Sequence, residues 1–508
     1  MSPLPCNLAA LDAAHFALPS TLAASSWSVL LVLFVGGSAL VMLWASWVRT
    51  MHLALGFAAT VAMWALGYVA MMQPGLVAGE ALFVMMLGVL FAAGYVAGRF
   101  GGPETRPLAV GVVSAIANLL VLGAFLRDEQ HGSRVTPIVY ALGMMASSAL
   151  LAWCGGLLGR RSAARETRRL PSATALFALV AAVTVFLLLI TGGLVTSFES
   201  GLAVPDWPNS FGHNMLLYPV SEMKGGIFYE HAHRLYGMLV GTTALVLVVV
   251  VWRDRAMGGS QRWLRSLAVI TLLAVCFQGY LGGTRVTGDL TLSANAADLA
   301  PSLGRAIVHG VFGQLVFTAF LLIAAATSNA WREARAIREP AAETDRGFAM
   351  LLPAAFIIQL ILGALYRHLQ PPGGVGAEGH PMWAILGHIT GAVVVTALVI
   401  TAAVRAWGHS YHPILRRLGI FMLAGVGVQL LLGVVALAAV WTRSGEAIPL
   451  WEVIFVTSHQ ITGAALLGGS VLLAAWSRRL IPVASSELVA TPIPSSVVTT
   501  GATADHST

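Results

Sequence analysis

Apolar runs long enough to cross a hydrocarbon core recur from Trp27 almost to Trp476, and they limit what this chain can fold into more than any other feature. Such a run needs roughly 18 or more residues with few charges. Thirteen are counted, at about 27–49, 52–71, 80–98, 107–126, 136–158, 171–195, 231–252, 263–283, 305–327, 347–367, 383–404, 414–440 and 450–476. Composition agrees: 57% of the 508 residues are hydrophobic and 10% charged, against about 25% charged in a soluble domain. The expected fold class is therefore an all-α integral membrane protein. Cys6, Cys154 and Cys276 are too few and scattered for a disulfide framework or a thiolate metal site, and the last two are expected to be buried small hydrophobes.

The formal charge of +7 resides mostly in arginines of short loops. There it reads as a topology signal, and a nucleic-acid partner is discounted. Arg160, Arg161, Arg165, Arg168 and Arg169 precede Pro171 and mark both a cytoplasmic loop and a domain boundary. Alternate loops are basic in the same way, through Arg253 to Arg265, Arg332 to Arg346, Arg405 to Arg417, and Arg478 with Arg479. The intervening loops carry almost no cations. This pattern predicts an N-terminus outside and a C-terminus in the cytoplasm. Three regions follow: residues 1–170 with five spans and no evident chemistry, 171–480 with eight, and a Ser/Thr/Ala/Pro-rich tail over 481–508 expected to be disordered.

The eight-span region repeats. Q-x-x-L-G occurs as Gln278 to Gly282, Gln359 to Gly363 and Gln429 to Gly433, each followed at nearly fixed distance by a histidine: His309, His388 and His459. A degenerate fourth copy has Leu188 in the glutamine position and Gly192 in the glycine position, with His233 following. Each two-helix unit thus brings one histidine, and His233/His309 map onto His388/His459. Duplication with pseudo-twofold symmetry accounts for that spacing. A lone histidine in an apolar helix is ordinarily a satisfied core residue, but four at one membrane depth form a pattern. A small residue stands one turn after each, at Gly237, Gly313, Ala392 and Gly463, and is expected to leave room for a flat macrocycle on the same face. Imidazole suits iron, and haem between facing helices of a bundle fits four histidines better than zinc, which wants clustered Cys, His or carboxylates.

One carboxylate stands close, in Glu230-His231-Ala232-His233-Arg234. Glu230 and His233 share a helical face. A charge at membrane depth is a functional candidate, while the plainer reading is charge complementarity at a helix start. Arg234 is either an interfacial anchor or a bidentate partner for a haem propionate. His231, on another face, is expected at the interface.

With these residues in view, the stretch Thr191-Gly192-Gly193, then Glu199-Ser200-Gly201-Leu202-Ala203-Val204-Pro205-Asp206-Trp207-Pro208, then Glu230-x-x-His233-Arg234 resembles haem A synthase. Leu281-Gly282-Gly283, the His309 helix, Gly387-His388 and Ser458-His459-Gln460 extend the resemblance over 171–480. The resemblance implies an eight-helix bundle of two pseudo-symmetric four-helix halves, preceded here by about five further helices. It implies oxidation of the C8 methyl of haem O to the formyl of haem A in oxygen-dependent steps. By position, His233 and His309 would flank the substrate haem, with Glu230 as the essential carboxylate and Arg234 beside it. His388 and His459 would hold a haem b through its iron. Implied partners are haem O and haem A, membrane lipid, an unidentified electron donor, haem O synthase and oxidase assembly factors, in a bacterial inner membrane. Some family members carry a cysteine pair in the first external loop of the bundle; residues 194–229 contain none. The alternative readings are a two-haem b-type electron-transfer cytochrome and a non-catalytic haem carrier or oxidase-assembly factor.

Overall fold

Long apolar runs bounded by arginines, prolines and glycines fold as helices because only internal backbone hydrogen bonding is tolerable in lipid. The structure, a computed structural model, describes residues 20–72, 77–121, 136–162, 170–256, 261–291, 299–337, 342–370, 381–408, 412–443 and 448–481. The N-terminal region comprises α1 (Ser20–Trp47), α2 (Thr50–Met72), α3 (Gly79–Phe100), α4 (Pro107–Val121) and α5 (Thr136–Ser162). The following region contains α6 (Ala173–Ser197), α7 (Gly225–Arg253), α8 (Arg262–Thr287), α9 (Leu303–Thr327) and a short α10 (Asn329–Glu333). Then come α11 (Ala342–His368), α12 (Met382–Gly408), α13 (Pro413–Thr442) and α14 (Leu450–Leu480).

Among the described residues eleven helices are long and apolar enough to cross a membrane, and α1 and α4 supply shorter apolar segments, Phe34–Trp47 and Pro107–Val121. Large apolar side chains such as Leu40, Leu273, Val393 and Val434 face outward, an arrangement suited to lipid. The chain is an all-α integral membrane protein. The expected spans agree with the helices to within a few residues, with one consequential exception. α7 begins at Gly225, before the anticipated 231, so Glu230 lies inside the helix. No acidic residue occupies its first turn, and helix-start complementarity does not describe Glu230. Arg165, Arg168, Arg169, Arg338, Cys6 and residues 482–508 lie outside the described residues.

Two closed rings of helices make up the haem A synthase-like region. α6 packs on α7, α7 on α8, α8 on α9, and α9 back on α6; α11 to α14 repeat the circuit. α14 against α6 and α9, and α11 against α9, join the rings. α2 lies on α6 and α1 on α7, attaching the N-terminal helices to the first ring. Inside that region α3 and α5 approach backbone to backbone: Gly94 faces the Ala152 backbone, and Gly98 faces Gly156. Small residues at such a crossing permit close van der Waals packing where no hydrophobic force drives helices together. Asn118 accepts a hydrogen bond from the Trp64 indole (2.9 Å), tying α4 to α2. Contrary to expectation, Cys154 and Cys276 are exposed on the protein's own surface, because each falls on the outward face of its helix.

Candidate functional site

The four histidines project from the early turns of α7, α9, α12 and α14 and meet in two pairs. The rings of His233 and His309 are 6.4 Å apart between centroids, inclined at 83°. Those of His388 and His459 are 6.2 Å apart at 75°. An iron held between two imidazoles, with nitrogen–metal bonds of roughly 2 Å and a ring radius of about 1 Å, calls for ring centres about 6 Å apart. Each pair therefore has the separation of a bis-imidazole haem site. Among the described residues no group of three His, Cys, Asp or Glu side chains gathers as a metal site, which leaves the zinc reading without its ligand set.

Hydrogen bonding orients each ring alike. The Nδ1 groups of His309, His388 and His459 lie 3.2 Å from the backbone carbonyls of Gln278, Gln359 and Gln429 respectively. His233 bonds to the equivalent Leu188 carbonyl, and its Nδ1 is also 2.9 Å from the Thr191 hydroxyl. A carbonyl can only accept, so at His233, His309 and His459 Nδ1 carries the proton and Nε2 keeps its lone pair, the tautomer an iron ligand needs. At His388 the Gln359 amide nitrogen also lies 3.0 Å from Nδ1.

Space for the rings comes from a place the sequence reading did not identify. A Cβ on Gly192, Gly282, Gly363 or Gly433 would lie 2.9, 2.8, 2.9 and 2.9 Å from Cε1 of His233, His309, His388 and His459. The glycine ending each repeat string is thus the seat for the histidine of the next helix. The small residues one turn after the histidines do not share one role. Gly313 and Gly463 face the amides of Gln278 and Gln429, Gln359 packs on Gly391 rather than Ala392, and Gly237 is open. The expected macrocycle gap at i+4 is corrected accordingly: glutamines fill it on α9 and α14.

Each ring has a buried acid paired with an arginine near the mouth of its pair. In the second, Glu452 in the first turn of α14 lies 3.4 Å from Arg443, while in the first the pair also grips a loop. Glu230 is buried; one carboxylate oxygen accepts from the Val204 amide (2.9 Å) and the other from the Arg234 guanidinium (2.9 Å). Arg234 also donates to the carbonyls of Val204 (2.7 Å), Asp206 (2.6 Å) and Asn209 (3.1 Å). Its guanidinium therefore grips the loop between α6 and α7, and in this arrangement it is not free to bind a propionate. Asp206 takes the amides of Phe211 and Gly212 (2.7 and 2.8 Å), shaping a turn whose strands β1 (Asn209–Ser210) and β2 (His213–Asn214) pair antiparallel. His231 is fully buried under this loop, bonded to Ser210 (3.1 Å) and against the Tyr218 ring, not at an open interface. Burial, with the Glu222 and Asp206 carboxylates, raises the Tyr218 phenol above its ordinary pKa, so it stays neutral there.

Several contributors were given no role from the sequence, although some stand in the stretches that carry the resemblance. Arg285 donates to the Gly201 carbonyl (2.9 Å), and Trp207 lies against Gly283, beside the glycine that seats His309. Gly193 receives Gln460, the neighbour of His459, and Ser197 meets Thr457 at 2.9 Å. Through these contacts the His233 groove on α6 touches the His459 helix. The glycine doublets Gly192-Gly193 and Gly282-Gly283 were the available signal: one glycine seats a histidine and its neighbour seats another element.

Residues 175–371, spanning α6 to the end of α11, match the model of a family described as cytochrome oxidase assembly proteins. A haem A synthase of Caulobacter sp. (strain K31) is 29% identical over 364 residues, covering 62% of this chain and 98% of that protein. One from Rhodospirillum centenum is 27% identical over 342 residues, 57% of this chain and 88% of its own. The human haem A synthase is 28% identical over 165 residues, covering 26% and 39%. The chain is thus similar to haem A synthases over α6 to α11 and, more weakly, beyond. The family match begins within α6, and helices α1 to α5 precede it.

Proposed function

We propose that this protein is a haem A synthase, an oxidoreductase that converts the C8 methyl of haem O to the formyl of haem A in oxygen-dependent steps for cytochrome oxidase biogenesis. The observation that carries this reading is an asymmetry: two equivalent bis-imidazole sites, of which one lies under a loop held by the buried Glu230–Arg234 pair. His388 and His459 would hold haem b, and His233 and His309 would receive the substrate. Bound haem would supply the redox and oxygen chemistry; the protein supplies ligation, orientation and placed charge. The carbonyl bonds at Nδ1 fix the imidazoles and would leave Nε2 as the ligating nitrogen. Glu230, with both oxygens engaged, holds the Val204–Asn209 segment over the first site and keeps a negative charge three residues from His233.

The test is expression alongside a haem O source, followed by haem extraction and mass analysis. Haem A should be recovered from the parent. Glu230→Gln, which keeps the shape and one of the two acceptor oxygens while removing the charge, should retain haem and convert less of it, whereas Glu230→Ala should lose the loop as well. Parental conversion in both variants would defeat the role given to Glu230. A two-haem electron-transfer cytochrome is the second reading, favoured by the near-identity of the two pairs; it predicts two haem b and no haem A in the parent. The proposed orientation puts the site outside, in a bacterial inner membrane. A cysteine at Asn209 should react with an impermeant maleimide from outside and one at Ala336 should not; the reverse would overturn the orientation.

A further inference from the structure

Helices α4 and α5 carry none of the residues of the histidine sites, yet together they form a groove with two cations at one end. Pro107, the first residue of α4, lies directly on Gly156 of α5, and this close contact makes a firm floor. Beside it is a cavity of about 200 Å³ with Arg106 and Arg160 at its polar end and Leu108, Trp153 and Leu157 along its walls. Trp153, Leu157 and Arg160 follow i, i+4, i+7 spacing and so share one face of α5. The three wall residues are all exposed on the protein surface, on spans whose outward faces lipid would cover. The groove therefore runs from an apolar, lipid-facing wall to a cationic rim at the helix ends, where headgroups lie.

The two guanidinium groups are poorly satisfied by the protein. Glu104, two residues before Arg106, pairs with Arg49. Among the described residues neither Arg106 nor Arg160 forms an ion pair. Arg160 reaches only the Thr105 carbonyl, at a long 3.4 Å. Arg106 is fixed through its backbone, whose amide donates to Nε2 of His52 (2.9 Å), leaving its side chain at the rim. A small inorganic anion would meet the cations but gain nothing from a tryptophan and two leucines. A phospholipid with net negative charge matches both ends: basic pockets between transmembrane helices suit such headgroups, and Trp and Arg anchor at that depth.

We propose that this groove binds one anionic phospholipid, its headgroup phosphate between Arg106 and Arg160 and an acyl chain along Leu108, Trp153 and Leu157. The site gives the N-terminal helices a lipid-recognition role distinct from the histidine pairs. It is tested on the purified full-length protein by native mass spectrometry in detergent, with dioleoylphosphatidylglycerol and dioleoylphosphatidylcholine as probes. The parent should retain phosphatidylglycerol and not phosphatidylcholine. The double variant Arg106→Gln/Arg160→Gln should bind it roughly thirtyfold more weakly, since each cation near a membrane surface contributes about fivefold. Arg106→Lys/Arg160→Lys should restore most of the binding, which separates lost charge from lost folding. Trp153→Ala should weaken retention with both cations in place. Equal retention by the parent and the glutamine double variant overturns the proposal. Equal retention of both lipids overturns it too, as does displacement of the lipid by millimolar inorganic phosphate that is insensitive to Trp153→Ala.

Discussion

The two helix rings hold their histidine pairs in one geometry in two settings. Ring separations of 6.4 and 6.2 Å, the glycine seats and the carbonyl-bonded Nδ1 groups are common to both. What differs lies around them. In the first ring an acid stands three residues before His233, an arginine follows it, and residues 198–224 fold over the pair through Val204, Asp206 and Asn209. In the second, residues 384–392 and 455–463 around His388 and His459 contain no acid, Glu452 pairs with Arg443 instead, and residues 369–381 make a shorter connection between α11 and α12. Gly193 and Gly283, which receive Gln460 and Trp207, correspond to Ala364 and Val434 in the second ring. The two pairs thus share their seats and hydrogen bonds, and differ in the loop that Glu230 and Arg234 hold over the first. Ligation alone is therefore insufficient to assign chemistry to either site.

Removing the histidines should separate the settings most sharply. His388→Ala or His459→Ala should abolish a low-spin bis-histidine signal in the visible and EPR spectra. His233→Ala or His309→Ala should leave that signal and stop formation of haem A. Unchanged low-spin haem in both second-ring variants would remove the distinction between a resident and a substrate site.

Smaller effects are expected at the seats. Gly282→Ala and Gly363→Ala place a methyl against His309 and His388, and overpacking of this kind costs about 1–3 kcal/mol. Each should perturb only the ligand of its own ring. Gly237→Ala, which meets nothing within 4 Å, is the control and should leave haem content and thermal stability unchanged. If Gly237→Ala proves the more damaging, the macrocycle occupies the i+4 gap after all and the seats are secondary.

How much of this was legible in the sequence follows from the physics of each feature. Helices and membrane character were, because apolar length and arginine punctuation are local. The four histidines were, because a repeat multiplies a weak signal. The seats were visible as the glycine of Q-x-x-L-G, but spacing along the histidine helices pointed for space only to Gly237, Gly313, Ala392 and Gly463, two of which face glutamines. Helical periodicity relates residues on one helix and says nothing about which residue of a neighbour faces them. The double engagement of Glu230 and the grip of Arg234 on Val204, Asp206 and Asn209 were hidden for a similar reason. They depend on how an irregular loop folds back, and the early start of α7 moved both residues inward from the helix mouth.

The smallest effect should come from the residue that makes the repeat most recognisable. Gln278 and Gln359 donate their side-chain amides to the backbone carbonyls of His309 and His388 (2.7 and 2.8 Å), while the Gln429 amide lies 3.3 Å from Nε2 of His459. The amide oxygens of all three are buried with no hydrogen-bond partner, which offsets part of what the donors contribute. Orientation of the histidines rests instead on the backbone carbonyls at these positions, and α6 manages with Leu188. Gln278→Leu should therefore keep His309 oriented, with a stability change of about 1 kcal/mol or less and an unchanged haem spectrum. Gln429→Leu should likewise preserve the low-spin signal of the second ring. A large loss of haem in either variant would mean that the unpartnered oxygen serves the bound ligand directly, and the glutamine would then rank with the histidines as a binding residue.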